Sequence, residues 1–388
     1  MKSNYEPLGK HIQLVDYRNS EEVTSTVLGI SIDKEFMPSV ANVIGTDLSR
    51  YKLISKGLFA CNPMHVGRDE RLPIALYEKD SPAIVSPAYF MFEIIDRDVL
   101  NEEYLMMWFR RPEFDRECWF MTDGSVRGGI SWDDLCRIKL PVPSYARQCE
   151  IVGSYRAITD RIALKRAEND NLEATAMSLY KSWFIDYEPF DLDDEGLPAG
   201  WYKAKLNDKL STSTQSINPQ KMDCDFVWHY SIPAYDNEKL PSKDIPSSIL
   251  SNKYIVPQNA ILVSKLNPDT KRIWRSVPCF DNAICSTEFI VFSTKESTHR
   301  AFYYLLFNTG SFIDFLVSNA TGSTNSRMRV KPASSLDFEF ICPPNEVIDS
   351  FCRKVEPMLK KIEENHLEIR KLKELIPIAV AKMMSSSR

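Results

Sequence analysis

The sequence predicts an α+β protein in which two similar mixed α/β lobes are separated by two long helices. The helices are expected to pack as an antiparallel coiled coil, with an internal pseudo-two-fold repeat of about 200 residues. Three observations predict this: strand segments that recur at that offset, two heptad seams in one register, and an acidic linker between the halves.

Ile84-Val-Ser86-Pro-Ala-Tyr89-Phe-Met-Phe92 stands 200 residues before Ile284-Cys-Ser286-Thr-Glu-Phe289-Ile-Val-Phe292. Each stretch is rich in aromatic and β-branched residues and reads as one buried strand. Tyr104-Leu105-Met106 matches Tyr304-Leu305-Leu306 at the same offset, in a segment that reads as helix. Gly124-Ser125 before Ile130 matches Gly322-Ser323 before Val330, two residues out of step. Several matches in order indicate duplication.

The helices carry the firmest pattern. Positions 151, 155, 158, 162, 165, 169, 172, 176, 179 and 183 hold Ile, Tyr, Ile, Ile, Lys, Asn, Leu, Ala, Leu and Trp, at alternating steps of four and three. Adding 200 to each gives Phe351, Val355, Met358, Ile362, Asn365, Ile369, Leu372, Ile376, Ala379 and Met383. Both are a/d seams, and both are polar at the same place, Lys165 and Asn365. A polar seam residue lowers stability but fixes register. Prolines precede each helix, where Ser144 or Asn345 is placed to cap it. Pro357 and Pro377 fall inside the second pattern and are expected to kink it.

Residues 186–200 contain two prolines, two glycines and six acids, the composition of a solvated linker. The expected order is therefore a globular lobe at 1–143, a helix at 144–185, a linker at 186–200, a lobe at 201–343 and a helix at 344–388.

Composition narrows the function. A chain of 388 residues exceeds what one core usually serves. At 44% hydrophobic and 26% charged it has the make-up of an ordinary globular protein. The N-terminus has no apolar signal core and no run is long enough to span a bilayer, so the cytoplasm is the expected location. None of the nine cysteines forms C-x-x-C, and the five histidines do not complete a zinc set, so no metal site is expected.

Reaction centres are missing too. There is no phosphate loop, no H-E-x-x-H, no G-x-S-x-G and no dinucleotide fingerprint. Asn62-Pro63 and Asn267-Pro268 are similar to the N-P-P-[YF] element of adenine methyltransferases but lack its second proline and aromatic residue. A non-catalytic protein is expected.

Net charge is −5 overall, but the segments differ: −5 for 1–143, −5 for 144–199, +3 for 200–343 and +2 for 344–388. Phosphate contacts are therefore sought first in the second lobe. There Lys265, Lys271, Arg272, Trp274 and Arg275 follow a strand in a basic loop or hairpin. Arginine and lysine neutralise phosphates or pair with guanine edges, and a tryptophan packs on a sugar or base. Ser323, Thr324, Arg327, Arg329 and Lys331 form a second DNA-binding candidate, with Ser125 and Arg127 as first-lobe counterparts and His65, Arg68 and Arg71 nearby.

Two lobes alternating with two similar helices, each after a proline-rich turn, resemble the specificity subunits of type I restriction-modification systems. Leu179-Tyr-Lys-Ser-Trp183-Phe184-Ile-Asp-Tyr-Glu-Pro189-Phe, Thr321-Gly-Ser-Thr324 and Leu197-Pro-Ala-Gly-Trp201 are similar to stretches of that family. Gln148 fits a glutamine common at the helix start, whereas Ile348 stands in the second copy, and Asp123-Gly-Ser-Val replaces a common Thr-Gly-Ser-Thr.

The resemblance implies a non-catalytic DNA-binding subunit in phage defence. Each lobe would be a target-recognition domain for half of a bipartite double-stranded target, and the helices would set the spacer. Two methyltransferase subunits would dock and methylate adenine, and two restriction (translocase) subunits would complete an ATP-dependent endonuclease. No cofactor is expected in this chain; S-adenosylmethionine, ATP and magnesium would bind only in the partner subunits. The rival readings are a coiled-coil scaffold whose lobes bind protein and the specificity part of another restriction class.

Overall fold

In a computed structural model, residues 5–39, 45–64, 66–122, 128–277, 280–322 and 328–385 are described. The chain divides into two units, one of residues 1–161 with 372–388 and the other of residues 162–371.

The same strand plan is built twice. In the first unit Tyr5–Pro7 pairs antiparallel with Lys139–Pro141, tying the start of the lobe to its end. A four-stranded antiparallel sheet runs Ile12–Leu14, Phe90–Ile94, Phe59–Cys61, Ile74–Leu76. A second sheet runs Phe36–Pro38, Val27–Ile30, Ala83–Val85, Lys52–Ile54, with Val27–Ile30 parallel to Ala83–Val85.

The second unit repeats each part. Tyr202–Lys205 pairs with Glu339–Cys342, and an antiparallel sheet runs Leu210–Ser213, Phe289–Thr294, Ile261–Ser264, Ile273–Arg275. Its other sheet runs Ser242–Asp244, Val227–Tyr230, Ala283–Cys285, Lys253–Ile255, with the matching parallel pair and one extra edge strand, Ser216–Ile217.

The repeated Ile84–Phe92 and Ile284–Phe292 stretches each form two strands in different sheets, not one. The cause is the repeated serine. Ser86 Oγ accepts from the Ala88 amide and Ser286 Oγ from the Glu288 amide, so each chain turns there and crosses to the neighbouring sheet.

Behind each antiparallel sheet lie two short helices, Glu102–Phe109 with Pro112–Phe120 and Arg300–Phe307 with Gly310–Ser318. Asn101 and Thr309 cap one helix of each pair, their side-chain oxygens accepting first-turn amides. Phe59, Phe92, Phe109 and Phe114 interlock in the first core, and Phe292, Phe307 and Phe312 in the second.

Tyr145–Phe184 and Asn345–Ser385 are continuous helices, the second running through both Pro357 and Pro377. Every described seam residue is buried or half-buried. In the second unit Tyr180 and Phe184 pack on Phe351 while Lys165 reaches Asn365, so the helices run antiparallel. In the first unit Tyr155 shares a core with Ile376 and Val380, the pairing that the same direction requires.

The two polar seam residues meet. Lys165 Nζ donates to Asn365 Oδ1 at 3.0 Å, and Asn365 Nδ2 donates to Asn169 Oδ1 at 2.8 Å and Glu168 Oε2 at 2.9 Å. Residues one repeat apart face each other only at the midpoint of an antiparallel pair, so this contact marks the register.

Candidate nucleic-acid interface

Two segments far apart in sequence are locked together on the second lobe. The Val330 amide donates to the Lys265 carbonyl at 3.0 Å, and the Asn267 amide to the Met328 carbonyl at 2.8 Å. Asn267 takes a left-handed backbone, with φ at 48°, and its side-chain oxygen accepts from the Met328 amide at 3.1 Å. Asn-Pro is thus a turn that pins two loops, not a base-flipping element.

The first lobe is built the same way. The Ile130 amide donates to the Pro63 carbonyl at 3.1 Å, and the Gly67 amide to the Gly128 carbonyl at 3.0 Å. A Cβ on Gly129 would stand 2.8 Å from the Pro63 carbonyl oxygen, so only glycine admits this approach. The sequence marked Asn267 only as part of a methyltransferase-like Asn-Pro, and Gly129 by nothing beyond its residue type.

The locked edge gathers part of the expected set. Lys265 is half-buried and Lys331 exposed, and neither is held in an ion pair among the described residues. Arg329 is exposed but grips Glu288 through two oxygens, at 3.0 and 3.1 Å, which offsets its charge. In the first lobe Arg68 is paired with Asp69 and Arg71 with Asp33. Ser125, Arg127, Ser323, Thr324, Arg327 and His65 lie outside the described residues.

The basic hairpin needs correction. Trp274 and Arg275 lie on the buried strand Ile273–Arg275 and present no surface to a polyanion. The Trp274 indole N–H donates to the Lys239 carbonyl at 2.7 Å, and its ring packs edge-on against Tyr230 and Tyr235. Arg275, 5% exposed, binds Glu356 and lies 3.3 Å from Glu363, both on the second long helix. Arg272 is clamped by Asp236 at 2.6 and 2.9 Å. Lys271 reaches toward the Asn308 carbonyl, and partial burial lowers its pKa. Arg272 and Arg275 are thus held in ion pairs within the unit, whereas Lys271 stays exposed with one long contact to a carbonyl.

A cavity of about 290 Å³ lies beside them, lined by Asn169, Lys239, Arg275, Tyr304, Glu363 and His366. Burial pushes the His366 pKa down to about 4, with Lys239 adding to the effect. Burial raises the Glu363 carboxyl despite Arg275 and Arg300 beside it. Among the described residues no group of His, Cys, Asp and Glu is placed to hold a metal. Nor is any described helix long and apolar enough to cross a membrane.

No protein-family model matches the chain. Over 317 residues it is 23% identical to the MjaIX specificity subunit of a type I restriction enzyme from Methanocaldococcus jannaschii, covering 75% of this chain and 70% of that one. The HindI specificity subunit from Haemophilus influenzae is 20% identical over 328 residues, 66% of this chain and 70% of the relative. Its relatives are type I restriction specificity subunits. The fold agrees with that kinship. A crystal structure of a type I restriction-modification S subunit from M. genitalium aligns with a TM-score of 0.57 at 12% identity, covering 98% of this chain and 95% of the other. In this specificity-subunit fold, then, each lobe displays one locked pair of loops.

Proposed function

We propose that this chain is the non-catalytic, sequence-specific DNA-binding subunit of a type I restriction-modification complex. Each lobe reads one half of a bipartite double-stranded target through its locked loop pair, and the two helices set the unread spacer. The observation that carries the reading is the repetition of that lock on a duplicated fold: the Ile130 amide on the Pro63 carbonyl in the first lobe, the Val330 amide on the Lys265 carbonyl in the second. Two readers of one design suit a target with two halves. Amides and small side chains at such an edge approach phosphates closely, and Lys265 and Lys331 supply the cations.

Within the complex, two methyltransferase subunits carry out adenine methylation with S-adenosylmethionine, and two restriction subunits use ATP and magnesium. This chain supplies recognition and no cofactor, and acts in the cytoplasm. A gel-shift titration of the assembled methyltransferase complex across salt concentrations tests the reading. Affinity for a bipartite target is expected to fall steeply with salt as condensed counterions are released. Salt-independent binding, or none with the methyltransferase subunits present, would favour a protein-binding scaffold instead.

A further inference from the structure

The second long helix carries a stripe outside its seam. Asp349, Glu356, Glu363 and Arg370 stand seven residues apart, so they share one face of a coiled-coil helix. All four engage the second lobe. Asp349 pairs with His299 at 3.2 Å, Glu356 with Arg275, and Glu363 with both Arg275 and Arg300 at 3.3 Å. Arg370 donates to the Pro241 carbonyl and lies over the Trp228 ring at 5.2 Å. The lobe-side arginines are inside, Arg275 at 5% and Arg300 at 6% side-chain exposure, and Arg300 also donates to the Gln258 and Ser276 carbonyls.

At the same place on the first helix the charge is reversed. Position 156, one repeat before Glu356, is Arg156, and it grips Glu103 of the first lobe. Position 163, one repeat before Glu363, is Ala163. The first-lobe counterpart of Arg275 is apolar: Leu76 pairs with Phe59 as Arg275 pairs with Ile261.

We propose that these opposite charges at helix positions 156 and 356 are a matching code that lets each helix accept its own lobe and reject the other. A second lobe seated on the first helix would bury Arg275 and Arg300 beside Arg156, with alanine where Glu363 should be. Two buried cations without counter-ions are strongly destabilising. A first lobe on the second helix would set Glu103 against Glu356. The code is independent of what the lobes bind, because it acts between lobe and helix within one unit.

The test is a full chain in which residues 201–343 replace 1–143, so that the second lobe precedes both helices. With Arg156 and Ala163 unchanged, its thermal midpoint is expected to fall by roughly 10 °C below the natural chain's. Adding R156E and A163E is expected to recover at least half of that loss. No gain from the two glutamates would overturn the code. Should neither chimaera fold, charge reversals in the natural chain decide. E356R and R275E are each expected to lower the midpoint, and E356R/R275E together to regain at least half of their summed loss. Additive losses in the double variant would overturn the proposal, since a charge code requires the two charges to act on each other.

Discussion

Asn365→Ala tests whether the polar midpoint of the helix pair fixes its register. Asn365 is 0% exposed and holds three hydrogen bonds, to Lys165, Asn169 and Glu168. Lys165 keeps Glu168 at 3.2 Å and Glu368 at 3.6 Å after the substitution, so its charge stays compensated. Asn169 fares worse. It is 7% exposed, and its side-chain oxygen loses its donor. A buried polar group left unsatisfied costs about 1–3 kcal/mol. At roughly 2–4 °C per kcal/mol for a domain of this size, the midpoint should fall by about 2–12 °C. Replacing Asn169 and Asn365 together by Leu removes both polar groups, so stability returns or rises while the register loses its pin. Denaturation of the full chain reads the first effect. Methylation by the assembled complex on targets of graded spacer length reads the second, and the double variant should accept more than one length. An unchanged midpoint for Asn365→Ala, or an unchanged spacer in the double variant, would refute the reasoning.

Other outcomes follow from the same geometry. Arg275→Ala leaves Glu363 to Arg300 alone and frees Glu356, and should cost stability, though less than the roughly 3–5 kcal/mol of a buried charge left without any partner, whereas Lys265→Ala and Lys331→Ala should leave stability unchanged. Each lysine variant should weaken DNA binding uniformly and reduce the salt slope by about 1; stable folding of Arg275→Ala would contradict the placement. The His366 pKa near 4 predicts acid lability: between pH 6.5 and 4 the unfolded chain takes a proton that the folded chain refuses, so stability falls as pH falls. His366→Leu should flatten the midpoint's pH dependence in that window, and an unaltered slope would contradict it. The purified chain alone should bind its target poorly and transfer no methyl group from S-adenosylmethionine; transfer without a partner would overturn the non-catalytic reading.

Much of the fold was legible because helical seams and repeated strands are periodic, and periodicity needs no knowledge of partners. Lys165 and Asn365 stood at the one step where both seams are polar, and they are the pair that meets. The interface was less legible. Arg272 and Arg275 belong to a cationic run that reads as solvated, and only Asp236, Glu356 and Glu363, distant in sequence, turn them inward. Arg329 is offset by Glu288, 41 residues away. Charge counts along the chain do not see such pairings. The Ser86 and Ser286 turns were hidden for a simpler reason: a serine inside an apolar run reads as part of the strand until its hydroxyl is seen to accept an amide two residues on.

The most direct test of the account is a lobe exchange read as a methylome. Residues 201–343 are replaced by the matching lobe of another such subunit, chosen to keep arginines at the positions of Arg275 and Arg300 so that its seat on the second helix is preserved. The chimaera is expressed with its methyltransferase partner, and methylated adenines are mapped across the genome. The account predicts a hybrid target with the original first half, the original spacer and a new second half. A target changed in both halves, or in neither, would contradict the claim that each lobe reads its own half.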